Sequence, residues 1–143
     1  MSVYQKIMVG IDGSSPSKRA FEIGSQLAKA LSAKLYLVSV VNRDAGMDSS
    51  FGVNQDFYND MAQTAAKQLQ DYVAQAKELG LEVEAAAPVG NAKTVLAKDY
   101  PLEHKIDLII LGNTGLNGLR DIMVGSHSSY VIRRSDSDVL IVK

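Results

Sequence analysis

Four stretches of the chain are apolar without alternating: residues 6–11 (KIMVGI), 34–41 (KLYLVSVV), 106–112 (IDLIILG) and 138–143 (DVLIVK). A strand with one wet face alternates apolar and polar residues, whereas a strand apolar at nearly every position is buried on both faces. Helical spacing fills the gaps between them. Ala20, Ile23, Leu27 and Leu31 predict a helix over residues 16–32, with Ser15 as N-cap and Pro16 as first helical residue. Phe57, Met61, Ala65, Leu69, Tyr72, Ala76 and Leu79 predict a long helix ending at Gly80. Residues 81–90 predict a third, weaker strand that ends or becomes an edge near Pro88. A shorter helix over 91–105 should break near Pro101, and a last helix should start near Gly125 and run through Arg134. The resulting β-α-β-α-β-α-β-α-β order predicts one α/β domain over residues 1–143. Its doubly wound parallel sheet has five strands, with helices on both faces.

The charge balance narrows function. Fifteen basic and 16 acidic residues leave a formal net charge of -1, without the basic excess of a nucleic-acid binder. With no cysteine, disulfide scaffolds and thiolate chemistry are excluded. The N-terminal MSVYQKIMVGID lacks a signal-peptide pattern, and no apolar stretch approaches the ~20 residues of a membrane span. The expectation is a cytoplasmic protein without nucleic-acid or membrane partners.

Ligands of open parallel sheets bind outside the carboxyl ends of the strands, where the strand order reverses. If the first strand is central, its loop, DGSSPS, and the loop after the fourth strand flank that point, which places Asp12 near Gly112. The latter loop, GNTGLNGLRDIMVGSHSS, has the parts of an anion site. Gly112 and Gly115 permit close backbone approach, and Gly125-Ser126 stand where a helix begins. Strand-to-helix loops are often glycine-rich for other reasons, so composition leaves both readings open. Neither the P-loop G-x-x-x-x-G-K-[ST] nor a G-x-G-x-x-G after the first strand is present. His104 and His127 have no second base or ligand spaced to help them, so acid-base or metal triads are not expected. Lys18 and Arg19 read as a solvated helix face, and His104 as exposed.

The segment GNTGLNGLRDIMVGS has the form G-x2-G-x9-G-[ST], at Gly112, Gly115, Gly125 and Ser126. It resembles the ATP-binding motif of the universal stress protein family. KIMVGIDGSSPSKRAFEIGSQLA, LYLVSVV, VGNAKTVLAK, DLIILGNTG and SDSDVLIVK extend the likeness over the whole chain. The resemblance implies an adenine-nucleotide alpha-hydrolase-like sheet with strand order 3-2-1-4-5. It also implies ATP, with Mg2+ or Mn2+ bridging the phosphates. Carried over by position, Asp12 would contact the ribose hydroxyls and the Val40 backbone would face adenine. Gly112 and Gly115 would approach ribose and phosphates, Gly125 and Ser126 would hold the phosphates, and Asn113, His127 and Ser128 would line the pocket. The last strand would pair with its copy in a homodimer, Val139 to Val142 central. Asp138 stands where the family often has proline.

The implied function is a nucleotide-dependent regulatory module in the stress response. The alternative is a slow ATPase or autophosphorylating enzyme using the same site, which lacks a catalytic lysine, a general base and an arginine finger. A receiver domain would need an acidic cluster beside Asp12 and an aspartate ending the third strand, where Pro88-Val89 stand.

Overall fold

In the computed structural model, which describes residues 3–43, 55–113 and 125–143, the apolar runs lie side by side. Strands β1 (Lys6–Gly10), β2 (Lys34–Val38), β4 (Val83–Ala86), β6 (Leu108–Gly112) and β7 (Asp138–Val142) form one sheet. Two-residue strands β3 (Val41–Asn42) and β5 (Val89–Gly90) pair with each other. The five-stranded order is β4-β2-β1-β6-β7, every pair parallel. Counting only these five strands, this is the expected 3-2-1-4-5.

Central β1 explains why its run is apolar throughout. Ile7, Met8 and Val9 have no exposed surface. Ile7 and Val9 point to one face, with Leu35, Leu37 and Ile110. Helices α1 (Ser15–Leu31) and α2 (Gln55–Glu78) cover it through Ala20, Phe21, Ala28, Leu69 and Ala76. Met8 points to the other face, with Tyr36, Val38 and Ile109, beneath residues 95–100 and Val131 of α5 (Ser126–Arg134). Full burial of each large side chain contributes about 2 kcal/mol.

Several boundaries differ from the sequence expectation. Ser14, not Ser15, caps α1: its side chain accepts from the Ser17 N–H, after Gly13 has turned the chain at φ +83. The expected second and third strands each break once, at residues 39–40 and 87–88. Their pairing resumes in β3 and β5, with the Val41 N–H donating to the Pro88 carbonyl at 2.8 Å. Pro88 lacks only a donor, so it can still accept.

The helix after β5 does not break at Pro101. It runs as α3 (Ala92–Thr94), a π turn (Val95–Asp99) and α4 (Tyr100–His104). The Tyr100 N–H reaches back to Val95, and this wider turn takes up the carbonyl clash that proline causes in a regular helix.

On α2, Phe57 and Met61 are exposed and Tyr58 is buried instead. Tyr58, Leu69 and Ala76 are spaced by eleven and seven residues, whole helical turns, so the buried stripe runs one position away from Phe57.

Candidate functional site

Strands β1 and β2 run together to Gly10 and Val38, and one further bond joins the Ile11 N–H to the Val38 carbonyl at 2.8 Å. Beyond it the chain turns away toward α1, while residues 39–42 follow β4 and β5. The order reverses between β1 and β6, so a cleft opens at their carboxyl ends. Its cavity measures about 1050 Å³ and is bordered by Asp12, Gly13, Val40, Gly112, His127 and Ser128. It extends between α1 and α2, past Lys18, Glu22, Gln68 and Asp71.

Asp12 is exposed but held. Its Oδ1 accepts from the Ser14 N–H at 2.9 Å and the Ser14 hydroxyl at 2.6 Å, and its own N–H donates to Ser17 Oγ at 3.0 Å. Oδ2 has no hydrogen bond among the described residues, so this oxygen is open to hydrogen-bond donors of a ligand.

Val40 contributes backbone. Ser39 and Val41 donate toward β4 and β5, to Ala86 and Pro88. Successive peptide groups of an extended chain point to opposite edges, so those of Val40 point to the side that β1 has vacated. They have no partner among the described residues.

The junction after β6 is built differently. A Cβ at Gly112 would lie 2.5 Å from the Ser17 nitrogen and 2.7 Å from the Pro16 carbonyl oxygen, and would press on the Pro16 carbonyl carbon. All three are backbone atoms of α1's first turn and cannot swing aside. Gly112 borders the cavity, but helix packing already requires it to be glycine.

Asn113 is a buried clamp. Its N–H donates to the Val142 carbonyl at 2.7 Å, and its side-chain oxygen accepts from the Gly125 N–H at 3.0 Å. The Gly125 N–H therefore already has an acceptor.

Gly125 is the N-cap of α5 and supplies no capping side chain. The N–H groups of Ser126, His127 and Ser128 are left without an acceptor among the described residues. Three free donors and the positive end of the helix dipole suit an anion. Ser126 and His127 are exposed; Ser128 is buried, its hydroxyl 3.4 Å from the Gly112 carbonyl.

Gly115, with Gly118 and Arg120 of the same loop, lies outside the described residues, as do residues 44–54. Among the described residues no group of three or more histidines and carboxylates could hold a metal ion.

Two residues that matter here went unassigned at the level of sequence. Ser14 and Ser17 hold Asp12, and the D-x-S-x-x-S spacing was the available signal, since Asp and Ser at such offsets bond neighbouring backbone. Lys18, read as a solvated face, borders the cavity. His104 is half-buried rather than exposed, its ring stacked on Tyr100 at 4.0 Å and its Nδ1 3.6 Å from Glu84.

A profile described as the universal stress protein family matches residues 3–143. A protein of Staphylococcus haemolyticus named as a universal stress protein is 30% identical over 145 residues, covering 100% of this chain and 87% of its own. One from Staphylococcus aureus is 32% identical, with coverages of 100% and 86%. Among solved structures, a universal stress protein in complex with cAMP is 33% identical with a TM-score of 0.75, covering 99% of each chain. A universal stress protein from Lactobacillus plantarum is 28% identical with a TM-score of 0.76, covering 100% of each.

Proposed function

The chain belongs to the universal stress protein family, and from that premise we propose that it is a nucleotide-dependent regulatory module of the stress response whose cleft binds ATP. One observation carries the reading: three sets of polar groups without partners among the described residues border a single cavity. They are Asp12 Oδ2, the Val40 peptide groups and the N–H groups of His127 and Ser128 in the first turn of α5. Their chemistry matches the parts of an adenine nucleotide. A carboxylate accepts from a ribose hydroxyl, a free strand edge can pair with the adenine edge, and a helix N-terminus takes phosphate. The relative solved with cAMP supports an adenine ligand.

Gly115 keeps the role that the family resemblance assigns it, approach to ribose and phosphates. Mg2+ or Mn2+ would enter with the phosphates, since such ions bind through substrate phosphates, water and few carboxylates. No described helix is long and apolar enough to cross a membrane, and the cytoplasm is the compartment we propose. In the same reading β7, an edge strand with Leu140 exposed, pairs with its copy in a homodimer. Pairing would cover a strand edge that is otherwise open to aggregation.

Calorimetry with ATP, ADP, AMP and cAMP, with and without Mg2+, tests the site. The expected result is a Kd well below 1 mM for at least one of them. If none binds tighter than ~1 mM, about 4 kcal/mol, the reading fails. A turnover assay on the same sample separates the binding module from a slow ATPase or autophosphorylating enzyme.

A further inference from the structure

We propose that a groove at the amino ends of the strands docks a partner protein, through a surface segment that carries arginine or lysine beside an aliphatic side chain. The groove lies at the end of the sheet opposite the nucleotide cleft, so the inference stands or falls independently of the nucleotide reading.

Tyr4 before β1, Ile106 and Asp107 before β6, and Asp138 at the start of β7 form one wall. Pro101 and Leu102 of α4, with Lys105 just after it, form the other. The space between them measures about 510 Å³. Two observations single it out. Val3 and Leu102 both border it, and at 80% and 65% they are the most exposed large apolar residues among those described. Single apolar residues on a surface are ordinary, whereas these two flank one concavity floored by buried Ala97, Pro101 and Ile106. Asp138 is the second observation. It stands where the universal stress protein family often has proline, and the nucleotide cleft makes no use of it.

The groove is held by bonds across the chain. The Tyr4 hydroxyl donates to Asp138 Oδ2 at 2.7 Å, and the Ser137 hydroxyl donates to the Ile106 carbonyl at 2.8 Å. Asp107 accepts from the N–H groups of Gln5 and Lys6 at 2.9 and 3.0 Å. A partner therefore has little left to order when it binds.

Charge selects the partner. Asp107, Asp136 and Asp138 border the groove against one ammonium, that of Lys105, among the described residues. Arg133 and Arg134, on the last turn of α5, do not border it. Asp107 is occupied by backbone. Asp138 Oδ1 has no hydrogen bond among the described residues, and Asp136 meets Lys98 only at 3.9 Å. A guanidinium or ammonium complements these two carboxylates, and an aliphatic side chain complements Leu102 and Val3. The stems of arginine and lysine themselves cover apolar surface.

The test is panning of a random linear peptide library against the native protein, followed by fluorescence anisotropy of the enriched peptides. They should carry arginine or lysine next to leucine, isoleucine or valine, and should bind more weakly as salt is raised. Leu102→Ser should weaken binding about tenfold, and Asp136→Asn combined with Asp138→Asn about fivefold. Asparagine still accepts from Tyr4, so the second variant removes charge and keeps the groove. Melting temperatures should stay near native in both. Should Leu102→Ser not fold, Leu102→Ala replaces it, with a loss of severalfold expected.

No enriched sequence, or enriched peptides whose binding survives the change at Leu102, overturns the proposal. So do acidic or uncharged peptides that bind the asparagine variant as tightly as the native protein. Sedimentation velocity of the native protein and Leu102→Ser decides the other occupant. An oligomer that Leu102→Ser dissociates gives the groove to a second copy of this chain and overturns a separate partner; an unchanged oligomeric state supports one.

Discussion

The turns after β1 and after β6 sit side by side at one end of the sheet, and they use their side chains in opposite ways. After β1 the chain presents a functional group: Asp12 stands exposed on a platform made by Ser14 and Ser17. After β6 the chain removes or hides them: Gly112 has no side chain because α1 crosses there, and Asn113 turns inward to clamp Gly125. The first turn can change chemistry without changing the fold. In the second, the fold and the start of α5 depend on the same atoms. A loss of binding after mutation therefore means different things at the two turns.

Gly112→Val would strain the comparison most. The new side chain meets α1 backbone that cannot move aside, and about 3 kcal/mol of stability should be lost, read by urea unfolding. A variant as stable as the native protein that has lost only nucleotide would make Gly112 a ligand position first.

Asn113→Ala comes next. It leaves the Gly125 N–H buried without an acceptor, at about 2 kcal/mol of stability. Binding of ATP should weaken more than binding of adenosine, because the proposed nucleotide site assigns the start of α5 to the phosphates.

Asp12→Ala should act the other way round. Affinity for ATP should fall about tenfold, or ~1.4 kcal/mol, with the unfolding midpoint nearly unchanged. A large drop in stability would show that the first turn, too, is a packing element.

Tyr100→Phe is the control, away from both turns and the smallest in effect. The Tyr100 hydroxyl is buried without a hydrogen-bond partner among the described residues. Its removal should raise stability by about 1 kcal/mol and leave binding alone. The same group has an alkaline signature. Burial, helped by Glu84, pushes the Tyr100 phenol above the ordinary value of 10.0. Above that pH the unfolded chain ionises first, so native stability should fall as pH rises past 10. The fall should shrink in Tyr100→Phe, as followed by urea midpoints at successive pH values.

The fold was legible because burial on both faces leaves a local mark. In β1, Ile7 and Met8 feed opposite cores, and each neighbour had to be apolar. The place of Asp12 and the start of α5 were legible for a related reason, since turn and helix-start residues are chosen by backbone geometry. Less legible was whatever depends on a partner far along the chain. Nothing near Gly112 announces α1, nearly a hundred residues upstream, and nothing near Asn113 announces Gly125. Phe57 and Tyr58 are adjacent, and only the packing of α2 in the folded protein decided which is buried.

By itself, then, the sequence determined a five-stranded parallel sheet, its 3-2-1-4-5 order through family likeness, the turn at Asp12 after the first strand and a helix starting beside Gly125. Apolar runs, caps and turns are local consequences of burial and backbone sterics, and a linear reading can reach them. The tertiary structure alone decided which donors and acceptors remain free. A hydrogen bond made inside the protein removes an atom from ligand binding: Asn113 occupies the N–H of Gly125, twelve residues further along the chain. That division depends on distances of about 3 Å between groups the chain brings together only on folding.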